Sequence, residues 1–295
     1  MGVRIYTNID AMNADRHLGI TTMQLSKSIQ RLSSGLRINS AADDAAGLGI
    51  SERLRAQVRG NNQAVRNTQD GISLFQTAEG ALDEVHSILQ RMRELNVQAA
   101  NGTVTATDRT SISAENTELA NALERIATTT QFNNTILMDG NFATLTLQIG
   151  ANADNGATAT YTTTVAMADL RISAGAFGAG LPAGFPAAVN MTTFQTATIA
   201  NETEANQNLA TIDNAINLVS SFRGILGARQ NMLEHVVASL NVASENQAAA
   251  ESRIRDLDVA NQTVEFTKLQ ILQQAGTAVL AQANVAPQTV LQLLR

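Results

Sequence analysis

Two adjacent carboxylates, Asp43 and Asp44, stand in the segment LSSGLRINSAADDAAGLGIS (residues 32–51) and are the first candidates for chemistry in this sequence. Catalytic carboxylate pairs work when two different environments face one cleft. Neighbouring residues of a helix point about 100° apart, which is a poor arrangement for sharing a site. Ser40 precedes Asp43 by three residues, as in a capping box, and acidic residues near a helix start favour its dipole. The pair therefore predicts a joint between two helices. The predicted joint residues are Arg37, Ser40, Asp43, Asp44 and Gly47.

Other reactive side chains form no recognisable site. The three histidines, His17, His86 and His235, are scattered, and none stands in an HExxH arrangement. No serine occupies a GxSxG elbow, and GAFGAG (residues 175–180) lacks the strand and helix that a phosphate-binding loop needs. Cysteine is absent, which excludes disulfides and thiolate metal sites. We expect no catalytic residues, no cofactor and no metal, and thus a protein that is not an enzyme.

The bulk composition favours a helical protein that associates with itself. Aromatic residues make up only 3% of the chain, whereas Ala, Leu, Ile and Val recur at regular spacing. A net charge of −6 argues against binding nucleic acid, and no apolar run is long enough for membrane insertion. Only Lys27 and Lys268 among the 20 basic residues are lysines, and arginine is the cation favoured at interfaces. The first twenty residues are unlike a secretory signal peptide, so composition alone predicts a soluble cytoplasmic protein.

Periodicity predicts long helices on both sides of a short β region. Leu18, Thr22, Leu25, Ile29, Leu32 and Leu36 follow a heptad seam. A second helix is predicted from about Ile50 to Ala100, with Gly60, Gly71 and Gly80 as close-packing points, and Asp108 can cap a shorter third one. LTLQIGAN (145–152) and TATYTTTV (158–165) read as strands within a β-and-loop insertion, residues 135–198. Helix resumes after Asn201.

The last helix, predicted from about Arg253 to Ala286, has apolar residues on two faces. One stripe contains Val264, Ile271, Ala275 and Ala278, and the other contains Phe266, Leu269, Leu272 and Val279. A helix that is apolar on two faces needs more than one partner. We expect the N-terminal helix to cover one face and a neighbouring molecule the other. The predicted fold is mainly α: long coaxial antiparallel helices in a coiled-coil-like hairpin, with paired termini and a small β-hairpin insertion mid-chain.

Both ends of the chain resemble the bacterial flagellins, the subunits of the flagellar filament. The resemblance lies in LSSGLRINSAADDAAGLGISERLRAQVRG (32–60), LQRMRELNVQAANGT (89–103) and the stretch from SRIRDLDVANQTVEF to VLQLLR (252–295). It implies an inner terminal-helix domain (1–45 with 254–295), a helical-rod domain (46–152 with 199–253) and a short variable insertion (153–198). It also implies a short form of the family without large outer domains.

The resemblance implies that the function is assembly rather than catalysis. Terminal segments would fold as neighbouring subunits bury their second stripe, giving an extracellular helical homopolymer for motility. Export would use the flagellar secretion apparatus without a cleaved signal peptide, which replaces the cytoplasmic expectation. The implied partners are a secretion chaperone, the filament cap and hook-junction proteins. The assembly residues are Leu25, Ile29, Leu32, Leu36, Ile271, Leu272, Ala275, Val279 and Leu280, unless these form only an intramolecular core.

The family resemblance also implies detection by the innate receptor for flagellin, Toll-like receptor 5. The candidate contacts, carried over by position, are Leu89, Arg91, Leu95 and Glu115. Their alternative role is contact between subunits. Two other functions remain open: a hook–filament junction protein, which shares the terminal helical design, and a signalling coiled-coil protein. The two prolines of the β insertion, Pro182 and Pro186, argue against a signalling hairpin.

Overall fold

A computed structural model describes residues 7–138, 144–152, 162–166, 176–177, 189–190, 194 and 199–293. These residues form five helices: α1 (Ile9–Ser34), α2 (Ala45–Ala99), α3 (Ala106–Thr129), α4 (Glu202–Arg255) and α5 (Val259–Leu293). Helices α1 and α5, at opposite ends of the sequence, pack against each other. The mainly α fold with paired terminal helices is thereby confirmed.

Short strands occupy the middle of the sequence as antiparallel pairs. They are β1 (Gln131–Phe132) with β2 (Thr135–Ile136), β3 (Thr144–Gln148) with β4 (Thr162–Ala166), and β5 (Ala176–Phe177) with β6 (Val189–Asn190). In the longest pair, Thr144 lies opposite Ala166 and Gln148 opposite Thr162. The two predicted strands are confirmed over residues 145–148 and 162–165, whereas residues 149–152 are described and lie outside β3. Residues 158–161 and most of the predicted insertion 153–198 lie outside the described residues.

The chain divides into two compact units, one formed by residues 1–56 with 245–295 and the other by residues 57–244. We call them the terminal unit and the central unit. Helices α2 and α4 each contribute residues to both. The proposed domain boundaries at 45/46 and 253/254 stay predictions.

The central unit contains a continuous apolar core. Helix α2 contributes side chains at helical spacing, including Phe75, Leu82 and Leu89, which are at most 1% exposed. They pack with Leu123 of α3 and Leu218 of α4, both fully buried. Full burial of one such side chain stabilises a fold by about 1.5–3 kcal/mol. This unit therefore buries its apolar face within itself.

Two of the three predicted close-packing glycines of α2 are confirmed. A Cβ on Gly60 would lie 2.7 Å from the Cβ of Ala151, and one on Gly71 would lie 2.5 Å from Cδ1 of Leu147. A larger residue at Gly60 would displace Ala151 itself, whereas at Gly71 the end of the Leu147 side chain would have to move. The prediction is wrong for Gly80, because a Cβ there would meet no atom within 4 Å.

Helix α3 begins with a complete capping box. The Thr105 hydroxyl accepts from the Asp108 N–H, and the Asp108 carboxylate accepts from the Thr105 N–H at 3.1 Å. A hydrogen bond from the Thr105 hydroxyl to the Asp108 carboxylate, together with the one from the Thr105 N–H, lowers the pKa of Asp108. The predicted cap was therefore the wrong residue. Thr105 is the N-cap, and Asp108 is its partner in the first turn.

In the terminal unit, α1 and α5 meet along a seam in which small and polar residues outnumber large apolar ones. The inward positions alternate steps of three and four. On α1 they are Ala11, Ala14, Leu18, Thr21, Leu25 and Ser28; on α5 they are Gln262, Phe266, Leu269, Gln273, Gly276 and Leu280. Gln262 donates a hydrogen bond to Ser28 at 2.8 Å. The predicted α1 seam is wrong at Thr22 and Ile29, which are exposed. Small Thr21 and Ser28 take those inward positions because they allow a close approach.

The last helix has different bounds from those predicted. Helix α4 continues to Arg255, and α5 starts only at Val259, where the Asp258 carboxylate accepts from the Asn261 N–H at 3.1 Å. Helix α5 also continues past Pro287 to Leu293 instead of ending at Ala286. The fixed φ of proline is compatible with a helix, and its main cost there is one lost main-chain hydrogen bond with local crowding.

Candidate assembly surface and inter-helix joint

The segment between α1 and α2 contains the paired carboxylates, and each of them has its own task. Asp44 caps α2, since its carboxylate accepts from the Gly47 N–H at 2.9 Å. Asp43 accepts from the Ser40 N–H at 3.3 Å, while its own N–H donates to the Ser40 carbonyl. The predicted capping box at Ser40 and Asp43 is therefore wrong in detail. These two residues close a turn just before the helix, and Asp44 is the cap.

Asp43 is also the anion that binds the end of α1 to this turn. Its carboxylate lies 2.6 Å from the Lys27 ammonium and 3.7 Å from the Arg31 guanidinium. The hydrogen bond from Lys27, helped by the N–H groups of Asn39 and Ser40, lowers the pKa of Asp43 to about 2. Asp43 thus stays ionised at all but strongly acidic pH, and it serves as a structural charge rather than a proton donor.

Gly47 permits the closest approach in this segment. A Cβ at this position would lie 2.3 Å from Oδ2 of Asp44 and 2.9 Å from Cδ1 of Ile38. Ile38 is only 1% exposed, so it has no free space into which to move. Glycine is required at this position because the capping carboxylate of Asp44 and the buried side chain of Ile38 occupy the space that a Cβ would need.

Main-chain hydrogen bonds tie the same segment to the break between α4 and α5. The Arg37 N–H donates to the Arg255 carbonyl at 2.7 Å, and the Leu257 N–H donates to the Gly35 carbonyl at 3.0 Å. The Arg37 guanidinium donates to the Ile254 carbonyl. In addition, the Arg255 guanidinium lies 2.6 Å from the Glu52 carboxylate. The chain therefore meets itself here across more than 200 residues of sequence.

The predicted assembly residues fall into two groups. Leu25, Leu32, Leu36 and Leu280 are buried or half-buried within the terminal unit. Ile29, Ile271, Leu272, Ala275 and Val279 are exposed. The first predicted stripe of α5 is exposed throughout, with Val264 at 70%. The second stripe divides: Phe266 and Leu269 face α1, whereas Leu272 and Val279 do not. Heptad spacing from Leu269 leads to Gly276 and Leu280 instead.

Helix α1 adds its own exposed apolar residues, which the sequence reasoning missed. They are Ile9, Met12, Ile20 and Met23, with Met23 at 68% exposed. The signal was present, because these residues recur at near-helical spacing beside the predicted seam. Both terminal helices therefore present apolar side chains that nothing in the described chain covers.

The four candidate receptor contacts differ in accessibility. Leu89 is 1% exposed in the core of the central unit, and Leu95 is 2% exposed in a separate smaller apolar cluster, so no partner reaches their side chains in the folded chain. Arg91 and Glu115 are exposed, and their charged groups lie 2.8 Å apart. Arg91 also pairs with Glu94 at 3.2 Å. Glu115 is the main cause that raises the pKa of Arg91.

The remaining candidate groups do not converge. His17 lies on α1, His86 on α2 and His235 on α4. Among the residues that the structure describes, no three His, Asp or Glu side chains are grouped to hold a metal ion. Across the same ranges, no helix combines the length and the apolar character needed to cross a membrane.

A mainly α fold with paired terminal helices and an uncovered apolar face defines a structural protein suited to associate with copies of itself. Residues 5–143 match the bacterial flagellin N-terminal helical region, and residues 209–294 match the bacterial flagellin C-terminal helical region. The chain belongs to the bacterial flagellin family. Flagellins are structural proteins rather than enzymes, and they polymerise into the flagellar filament, outside the cell. A length of 295 residues fits a short form without large outer domains.

Individual relatives match over almost the whole chain. A flagellin of Halalkalibacterium halodurans is 49% identical over 98% of both chains. A flagellin of Bacillus subtilis is 47% identical over 99% of this chain and 100% of its own. The flagellar filament 33 kDa core protein of Treponema phagedenis is 45% identical over 98% of both. A putative flagellar hook-associated protein of Vibrio parahaemolyticus shares the fold, with a TM-score of 0.56 at 16% identity over 72% of this chain and 100% of that one.

Proposed function

We propose that this flagellin polymerises by burying the exposed apolar stripe of α5 and the open face of α1 against neighbouring subunits. The observation that carries the proposal is the composition of residues 269–293, which contain no charged side chain. Ile271 and Val279 are nevertheless about 60% exposed in the single chain. Burying such a side chain gains about 1.5–3 kcal/mol, and a subunit offers several of them. A heterologous contact that does not close on itself yields a helical polymer.

Folding of the terminal helices is, in this proposal, coupled to assembly. Within the α1–α5 seam only Leu25 and Leu269 are large apolar residues below a tenth exposed. Seven of the twelve inward positions are small or polar, among them Ser28 and Gln262. Ordering the backbone costs about 1–2 kcal/mol per residue. Because the α1–α5 seam buries so few large apolar side chains, we infer that the terminal segments become ordered only when neighbouring subunits cover their outer faces.

Seeded polymerisation tests the assembly surface. Purified chain is mixed with sheared filament fragments and imaged by electron microscopy, beside a variant lacking residues 254–295. We expect long filaments from the full chain and none from the truncation. Ile271→Asn and Gln270→Asn form a matched pair, because both positions are exposed on α5 but only one is apolar. Growth by Ile271→Asn at the rate of Gln270→Asn would contradict the proposed surface.

Hydrogen exchange tests the coupling of folding to assembly. Amides of α1 and α5 should exchange rapidly in the monomer and slowly in the filament. Amides of the central core should be protected in both forms. Strong protection of α5 in the monomer would overturn the coupled folding without touching the assembly surface itself.

We also propose detection by the vertebrate flagellin receptor, Toll-like receptor 5, through the Arg91–Glu115 pair. Support comes from the exposure of both charged groups and their 2.8 Å separation. A reporter-cell assay with Arg91→Ala and Glu115→Ala should show a reduced response. Arg125→Ala, exposed elsewhere on α3, is the control. An unchanged response to both variants would restrict these residues to contacts within and between subunits.

Family membership supports a further set of partners in this proposal. They are a secretion chaperone, the filament cap and the hook-junction proteins, with export through the flagellar secretion apparatus without a cleaved signal peptide. The uncharged stretch of α5, residues 269–293, gives a chaperone a reason to bind, because a free subunit with this stretch uncovered would associate prematurely. Co-purification of the full chain, but not of the 254–295 deletion, with its chaperone tests this.

A further inference from the structure

The turn between α2 and α3 contains an Asn–Gly pair, Asn101–Gly102, that faces solvent. Glycine after asparagine leaves the following main-chain N–H unshielded, because glycine has no Cβ. Within the part of the chain that the structure describes, no acceptor holds the Gly102 N–H. The sequence has one other such pair, Asn155–Gly156, outside the described residues.

A main-chain hydrogen bond in the turn orients the Asn101 side chain. The Thr103 N–H donates to Oδ1 of Asn101 at 3.3 Å, which bends the side-chain amide back along the main chain. Attack on Cγ places negative charge on Oδ1. A main-chain N–H already directed at that oxygen stabilises the charge, as donors do in an oxyanion hole.

We propose that Asn101 is a site of spontaneous covalent modification, a deamidation that the folded turn supports. The Gly102 nitrogen loses its proton and forms a bond to Cγ of Asn101, while the Cγ–Nδ2 bond breaks and Nδ2 leaves as ammonia. A cyclic imide results. Water then adds to either imide carbonyl and opens the ring, which yields aspartate or isoaspartate. The reaction consumes only water and involves no oxidant or reductant.

Isoaspartate at position 101 would lie beside the contacts through which Arg109 joins α3 to the end of α2 and the start of α4. The Arg109 guanidinium donates to the carbonyls of Ala99 and Asn101 at 3.0 and 3.2 Å, and it pairs with Glu202 at 3.2 Å. The Val104 N–H also donates to the Asn101 carbonyl. In isoaspartate the main chain continues through Cγ with one extra methylene, and the former main-chain carbonyl of residue 101 becomes a free carboxylate outside the peptide bond. We expect this to disturb the bonds that the carbonyl accepts from Arg109 and Val104. These contacts adjoin the small apolar cluster formed by Leu95, Ala99, Ile112, Ile199 and Ala205.

Peptide mapping of the purified full chain, aged at mildly alkaline pH, tests the site. We expect imide, aspartate and isoaspartate to accumulate at Asn101. Gly102→Ala should slow this by roughly an order of magnitude, because the new Cβ shields the attacking nitrogen. The variant should fold, since that Cβ would meet only the flexible end of Glu202, at 3.3 Å. Conversion at Asn155 serves as an internal clock, and an equal slowing there would overturn the assignment.

The contribution of the fold is measured by ageing the chain in urea as well. If the turn supports the reaction, Asn101 converts in the folded chain at least as fast as in the denatured one. A folded rate far below the denatured rate would overturn that claim. Aged wild-type chain should also exchange the first-turn amides of α3 faster than aged Gly102→Ala. Identical exchange, with Asn101 converted, would show that the Arg109 contacts are not disturbed.

Discussion

The central unit and the terminal unit are both built mainly from long helices, but they differ in how far their large apolar side chains are buried. In the central unit, α2, α3 and α4 direct large apolar side chains at one another, and Phe75, Leu82 and Leu123 are almost completely buried. In the terminal unit, most of the positions where α1 and α5 meet are small or polar, and only some are leucine or phenylalanine, while Ile271 and Met23 are exposed. One region is complete as a single chain. The other leaves large apolar side chains exposed, and in our proposal neighbouring subunits cover them.

The largest expected effect comes from a substitution that removes a core side chain of the central unit. Phe75→Ala should lower the free energy of unfolding of the monomer by about 3–5 kcal/mol, through lost burial and a cavity. Chemical denaturation followed by circular dichroism measures it. A loss below about 1 kcal/mol would show that the central unit is not the independently stable region.

Two glycines of α2 should respond to alanine with opposite signs. Gly47→Ala crowds the Asp44 cap and buried Ile38, so it should cost about 1–3 kcal/mol. Gly49→Ala meets no atom within 4 Å and should instead gain up to about 1 kcal/mol in helix propensity. The melting temperature of reassembled filaments measures both. Equal shifts of the same sign would contradict the close approach at Gly47.

The ion pair of Asp43 should make the joint acid-sensitive. Because its pKa falls from 3.8 to about 2 in the folded joint, its stabilising contribution is complete above pH 3.8. That contribution is lost as the pH falls through about 2. The acid dissociation midpoint of filaments, followed by light scattering, reports it. Asp43→Asn should remove the part of the pH dependence that lies in this window, whereas Asp10→Asn should not.

The smallest effect on the monomer should accompany a large effect on the polymer. Ile29→Ser changes an exposed residue, so it should shift the free energy of unfolding of the monomer by no more than about 0.5 kcal/mol. Seeded filament growth by this variant should nevertheless slow markedly, because the apolar face of α1 is interrupted. Unimpaired growth would move the assembly surface away from this side of α1.

The sequence alone predicted the helices, the strands and the pairing of the termini, because long apolar periodicities and β-branched runs are strong signals. It did not predict which side of α1 faces α5. Leucines at 18, 25 and 32 satisfy two heptad frames, and a pattern of large residues ignores Thr21 and Ser28. Those small side chains decide the frame through close approach and the bond to Gln262, which are tertiary contacts.

The sequence also failed to identify the N-cap residues, because that again depends on contacts that the residue types alone do not show. Thr105 and Asp108 both have capping side chains, as do Ser40 and Asp44, and only the main-chain bonds show where each helix begins. The family motif placed Leu89 and Leu95 among the candidate receptor contacts although both are buried, because a motif marks position and not accessibility. The sequence predicted that α5 ends before Pro287, but the helix continues to Leu293, because proline weakens a helix without always ending it.

The link between residues 35–37 and 255–257 has a consequence for mutational tolerance. It depends on the N–H groups of Arg37 and Leu257 and on the carbonyls opposite them, and every residue type except proline supplies both groups. The side chain at Leu257 is therefore free to vary as far as this link is concerned, and proline is the one replacement that the link forbids. Flagellins of diverging sequence can therefore keep these two main-chain hydrogen bonds unchanged, as long as neither position 37 nor position 257 becomes proline.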